Sequence, residues 1–196
     1  MKIALHACCG PCALEPLGAL ASEHEVALVF ANPNIGPEEE YALRRDTLVE
    51  WAATAQVPVV EIAGEPGEWD RATADVRGTP SERCVRCYEL RLTMTATYAA
   101  RLDFDALATT LTVSPYQDAE AIEGVGRRVA QEAGLQWAGA DYRDRYPEAT
   151  RRSRELGMYR QNYCGCLPSK AEAEVERAAR KAERAARRVT PSSETP

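Results

Sequence analysis

A chain of 196 residues, 45% apolar and 28% charged, is long enough for one substantial core and too short for two. Its net charge of -6 supplies no global attraction to a polyanion, so any nucleic-acid contact must rest on a local basic surface. Apolar runs such as 25–31 and 57–63 fall far short of the roughly 20 residues that cross a bilayer, and Met1-Lys2 leads straight into an apolar strand with no signal-peptide pattern, so a cytoplasmic protein without membrane contact is expected.

Residues 2–7 read as a buried strand that stops at Cys8-Cys9-Gly10-Pro11-Cys12, and 13–21 as the helix that follows. A second strand over 25–30 is broken by Asn32-Pro33-Asn34. The helix predicted over 37–56 opens with three glutamates, which suit the positive end of its dipole. A strand at 57–62, a short helix at 68–76, a turn at 78–81 and a long helix at 82–102 come next, the last carrying Cys84 and Cys87. The remaining predicted elements are a strand at 106–111, a helix at 118–133 stopped by Gly134, and a strand at 135–138. This alternation predicts an open, mostly parallel, doubly wound α/β sheet. One domain is expected over 1–168. Residues 169–189 form a charged, alanine-rich helical extension with little apolar surface to bury, ordered weakly, and 190–196 a Ser/Thr/Pro/Glu-rich disordered tail.

All seven cysteines fall into three groups: Cys8, Cys9 and Cys12; Cys84 and Cys87; Cys164 and Cys166. In a reducing compartment such clustering points to metal or redox chemistry and away from structural disulfides. On a helix, positions i and i+3 share a face, so Cys84 and Cys87 can offer both sulfurs to one centre. Cys8, Cys9 and Cys12 follow the first strand, at the carboxyl edge where open α/β sheets place their ligand crevice. Spacing alone leaves zinc and an iron–sulfur cluster both open for Cys8, Cys9, Cys84 and Cys87. Cys12 can extend the site to a second metal or pack as a small residue. Cys164 and Cys166 can close only a strained ring, the mark of a labile redox couple, or stand as two more ligands or as idle thiols beside a turn glycine.

The order of motifs resembles the cobalamin-independent epoxyqueuosine reductase family, formerly a domain of unknown function. The resemblance is carried by His6-Ala7-Cys8-Cys9-Gly10-Pro11-Cys12, Asn32-Pro33-Asn34-Ile35 with Glu40-Tyr41, Arg83-Cys84-Val85-Arg86-Cys87-Tyr88-Glu89-Leu90-Arg91-Leu92, Thr109-Thr110-Leu111-Thr112-Val113-Ser114-Pro115-Tyr116, Asp141-Tyr142-Arg143, and Tyr159-Arg160-Gln161-Asn162-Tyr163-Cys164-Gly165-Cys166. It implies a 4Fe-4S cluster on Cys8, Cys9, Cys84 and Cys87, an adjacent mononuclear iron to which Cys12 contributes, and a redox-active pair in Cys164 and Cys166. It implies a nucleotide-binding-like sheet related to ATP-pyrophosphatase-type tRNA enzymes. Its substrate would be tRNA carrying epoxyqueuosine in the anticodon loop, reduced to queuosine with electrons from a donor the sequence does not identify. The Ser-Gly-Gly-x-Asp-Ser phosphate loop of the ATP-using relatives is replaced here by Cys-Cys-Gly-Pro-Cys, which argues against ATP use. Gln117 stands where the family often has lysine.

Within the matched segments, Asp141, Tyr116 and Tyr163 are candidate proton donors, with an Asp141–Arg143 ion pair and aromatic packing as their alternative roles. His6 is expected to be buried against backbone. The six arginines of 143–160 form a candidate anticodon-loop platform, or a solvated charged helix, with Tyr159 or Tyr163 available to stack on a base. Two other functions compete: a zinc-binding RNA module without catalysis, and an iron–sulfur tRNA sulfurtransferase.

Overall fold

The chain alternates strand and helix through β1 (Lys2–His6), α1 (Gly10–Ala21), β2 (Glu25–Phe30), α2 (Glu38–Thr54), β3 (Val59–Glu61), α3 (Glu68–Ala72), α4 (Pro80–Arg101), β4 (Ala106–Thr109), α5 (Ala119–Glu132), β5 (Gln136–Trp137), α6 (Tyr146–Glu155) and α7 (Leu167–Val189). The computed structural model describes residues 1–189, with side chains as far as Arg184, so the tail expected at 190–196 lies outside the described residues.

The five strands form one parallel sheet in the order β3-β2-β1-β4-β5. Leu5 pairs with Leu28 on one side and Ala108 on the other. Alternate side chains go to opposite faces. Ile3, Leu5 and Ala7 join Ala13, Leu17, Leu48 and Ala52 from α1 and α2 in one core. Ala4, Ala27, Val29 and Ala31 meet Ala99 and Phe104 at the end of α4 in another. Both faces are therefore covered, which is why β1 and β2 read as continuous apolar runs. Each fully buried leucine or isoleucine contributes about 1.5–3 kcal/mol.

Strand order reverses between β1 and β4. The chain leaving β1 turns into α1 and the chain leaving β4 turns into a 3-10 segment at Leu111–Val113, so a crevice opens between them at the carboxyl edge. The Cys8 amide donates to Thr110 Oγ1 across this gap, at 3.3 Å.

Where the elements differ from expectation, the reason is local. Helix α1 begins at Gly10, placing Cys12 inside its first turn, because Pro11 suits an early helical position whose missing N–H is no loss. The predicted turn at 78–81 is partly absorbed into α4, with Thr79 as its N-cap and Pro80 opening the helix. Strands β3 and β5 hold three and two residues, shorter than predicted, and both are sheet edges. Helix α6 falls within 143–160, where a solvated charged helix is one of the two expected readings. Helix α7 is anchored more firmly than its composition implied. Arg83 donates to both carboxylate oxygens of Glu172, at 2.8 and 2.9 Å, and Arg177 reaches the Asn162 carbonyl.

Candidate metal–thiolate site

The Sγ atoms of Cys8, Cys9 and Cys12 lie within 4.8 Å of one another, and those of Cys8 and Cys9 are 3.8 Å apart. Two thiolates on one tetrahedral ion, with bonds of about 2.3 Å, stand about 3.8 Å apart. The tightest grouping is thus not the predicted four. Cys12 reaches it because the first turn of α1 folds back over the end of β1. Cys84 and Cys87 arrive on a different helix, α4. Cys87 packs with Trp69 and Cys166, and Cys84 packs against the cluster that holds Cys8 and Cys9.

The sulfurs share too few protons to be alike. Hydrogen bonds from Cys12 and Cys9 hold the Cys8 thiol well below its ordinary range, while burial pushes the Cys9 thiol up and the bond to Cys8 raises that of Cys12. Burial raises Cys84 to about 11 and Cys87 to about 12, and burial likewise raises Cys164. All seven cysteines are free thiols, Cys164 and Cys166 included.

The predicted sites meet around a residue the sequence reading passed over. Arg91 is 1% exposed. Its Nε and Nη2 donate to Asn32 Oδ1 at 3.1 and 2.6 Å, and its Nη1 is buried without a partner. Burial opposes this charge, and the neighbouring sulfurs favour it when they are ionised, Cys87 first and Cys8 next. Only an Arg four residues beyond Cys87 on one helical face could have signalled this. A buried guanidinium without a carboxylate partner leaves a positive charge that metal-bound thiolates would balance. This donor set therefore fits a thiolate-held metal group.

A second buried arginine fastens the Cys164–Cys166 loop. Arg44, also 1% exposed, is bonded to Glu40, and donates to the carbonyls of Cys164 and Tyr163 at 2.8 and 3.1 Å. Gly165 has φ +143, and a Cβ there would lie 2.9 Å from Asn34 Nδ2, so this position requires glycine. Gln117 Nε2 donates to Cys164 Sγ at 3.4 Å, and Gln161 Nε2 to Cys9 Sγ at 2.9 Å.

The candidate proton donors fare differently. Asp141 is exposed and chelated by Arg143, whose hydrogen bonds hold its carboxyl below the usual range, so it takes the ion-pair role and stays ionised. Tyr163 donates to the Gly36 carbonyl and has Arg44 over its ring, and Tyr159 donates to Glu40, so both hydroxyls are engaged within the fold. Tyr116 is 77% exposed. His6 is fully buried between Thr109 Oγ1 and the Ala31 carbonyl, and burial lowers it to about 3, so it is neutral. Of the six predicted platform arginines, Arg143, Arg145, Arg151 and Arg152 are engaged with carboxylates.

An open parallel α/β sheet whose first strand runs into three clustered thiols defines a doubly wound α/β protein with a candidate metal site at its carboxyl edge. By sequence, the chain belongs to the epoxyqueuosine reductase QueH family, whose profile matches residues 3–172. It is 33% identical over 177 residues to the epoxyqueuosine reductase QueH of Thermotoga maritima, covering 87% of this chain and 91% of that one. Against the protein of the same name from Haemophilus influenzae the identity is 31%, over 86% and 71% of the two chains. Among solved structures, the U34-tRNA thiolase NcsA from Methanococcus maripaludis with its 4Fe-4S cluster superposes with a TM-score of 0.57 at 13% identity, covering 88% of this chain and 64% of that one. A predicted subunit of a tRNA methyltransferase from Methanocaldococcus jannaschii gives 0.55 at 12% identity, over 79% and 76%. These likenesses concern the fold. No helix among the described residues is long and apolar enough to cross a membrane.

Proposed function

We propose that this chain is an iron–sulfur-dependent, cobalamin-independent epoxyqueuosine reductase, acting in the reducing cytoplasm on tRNA that carries epoxyqueuosine in its anticodon loop. The observation that carries the reading is the packing of the cysteine groups: Cys12 and Cys84 pack against the cluster that holds Cys8 and Cys9, Cys87 packs with Cys166, and the buried cation Arg91 lies one helical turn beyond Cys87. Cys8, Cys9, Cys84 and Cys87 would hold a 4Fe-4S cluster, and Cys12 would contribute to an adjacent iron. When bound, these groups supply electrons one at a time and Lewis acidity.

The chain's own residues account for the proton balance. Converting the epoxide to an alkene consumes two electrons and two protons and releases the oxygen as water. Cys164 and Cys166 as a dithiol release two electrons and two protons on becoming a disulfide, and an external electron donor must then reduce them. Burial keeps the Cys164 thiol protonated until that step. Arg44 holds its carbonyl, and Gln117 its sulfur, so the pair is presented in a fixed orientation. The neutral, doubly bonded His6 and the ionised Asp141 take no part as acids.

The test is anaerobic purification followed by iron, sulfide and zinc analysis, then assay on tRNA containing epoxyqueuosine with product nucleosides read by mass spectrometry. About four iron and four sulfide per chain are expected, together with loss of one oxygen from the modified nucleoside. A Cys164→Ser, Cys166→Ser double variant should keep the cluster and lose turnover. Stoichiometric zinc without sulfide would overturn the reading in favour of an RNA-binding zinc module.

A further inference from the structure

A cleft open to solvent lies beside the thiols and is lined by Pro11, Cys12, Tyr146, Thr150, Arg160 and Gln161 among others. Cys12 is the single cysteine in its wall. Gln161 marks the inner end. Its Nε2 faces the sulfurs of Cys9 and Cys12, at 2.9 and 3.6 Å, and its Oε1 is buried with no hydrogen-bond partner. A buried acceptor left open in this way is accounted for by a donor that arrives with a ligand. At the rim, the exposed Tyr116 ring meets the Tyr146 ring edge-on, with centroids 6.4 Å apart. Arg160 differs from its paired neighbours Arg143, Arg145, Arg151 and Arg152, since it has no carboxylate partner among the described residues.

We propose that this cleft receives one unstacked nucleoside of an RNA loop, with its base substituent directed at Cys12 and Gln161, Tyr116 stacked on a neighbouring base, and Arg160 on the backbone phosphate. The inference rests on the tRNA reading of the same site and adds the face, the direction of approach and the residues that select the substrate. An exposed aromatic ring beside a free guanidinium is the usual platform for single-stranded RNA, because every base offers a face to stack on and every nucleotide a phosphate to pair. The substrate then meets the site through Cys12 first, with Cys8 and Cys9 behind it.

The experiment measures binding of an unmodified anticodon stem-loop RNA by fluorescence anisotropy, and kcat and KM on tRNA containing epoxyqueuosine, for the metal-loaded wild type, Tyr116→Ala and Arg160→Glu. Both positions lie at the rim and neither touches a cysteine. Each variant should weaken stem-loop binding about tenfold, the loss of one base or phosphate contact, and raise KM with kcat nearly unchanged. Leu102→Ser, at the opposite edge of the sheet, should leave all three quantities alone. If the wild type reduces the epoxide while both rim variants bind and turn over as it does, the cleft assignment falls and the reductase reading stands. If stem-loop binding depends on Tyr116 and Arg160 but no epoxide is reduced, the activity falls and the RNA cleft stands.

Discussion

Arg44 and Arg91 are equally buried, and their surroundings differ in kind. Around Arg44 every charge is answered: Glu40 supplies the carboxylate, two loop carbonyls accept its remaining donors, and Tyr159 completes the carboxylate's partners. Around Arg91 there is one amide oxygen, one open N–H and three thiols. The first environment is complete as folded. The second keeps a charge without an answering anion, which thiolate ligands at Cys8 and Cys87 would supply, and this separates a fastening from a site.

The sharpest way to break the comparison is Arg44→Met. Leaving Glu40 buried and unpaired should cost about 3–5 kcal/mol, read as a lower urea midpoint, and Cys164 should alkylate faster as its loop is released. An unchanged midpoint would show that Glu40 finds water and that the pair is not a fastening. Arg91→Met should cost less stability and act on the sulfur chemistry. Removing a buried positive charge disfavours the reduced, more negative state, so the midpoint potential of the loaded protein should fall by on the order of 60 mV, tenfold in a one-electron couple. A potential identical to the wild type would assign Arg91 to packing alone.

The smallest effect belongs to His6, whose pKa is lowered by burial first and by Arg91 second. Because it is about 3 folded against 6.5 unfolded, the unfolded chain binds the extra proton between those values, and stability falls as pH drops below 6.5. Between pH 7.5 and 5.5 the loss should be about 1.4 kcal/mol. His6→Gln should flatten that slope, which denaturation at the two pH values would read directly.

The strands that position the site were the most legible parts of the chain. Strands β1, β2 and β4 are central, buried on both faces, and written as continuous apolar runs; β3 and β5 have one neighbour each and fade sooner than their composition suggests. Helix α6 was legible only as the charged-helix alternative for 143–160, without bounds, because its apolar face is little more than Ala149, with arginines and glutamates elsewhere. The cysteines declared themselves by clustering. Their grouping in space did not, since whether Cys12 folds over Cys8 or away depends on where α1 begins. Arg44 and Arg91 were illegible for another reason: on a helix an arginine reads as surface, and its burial is decided by elements far away in the chain. Tyr159 and Tyr163 illustrate the converse, rings close to the right motif whose hydroxyls are already taken, while the exposed ring belongs to Tyr116.

The crevice joins positions far apart in the order of synthesis. Cys8, Cys9 and Cys12 leave the ribosome near the start, whereas Arg44's partners on the Cys164–Cys166 loop and the Glu172 that anchors α7 to Arg83 come only after some 150 residues more. At about 5–20 residues per second that interval lasts on the order of ten to thirty seconds. For that time the first three thiols are exposed on an incomplete sheet with nothing to cover them. A metal group held as proposed would therefore be loaded after release, and oxygen present during translation should lower the yield of loaded protein.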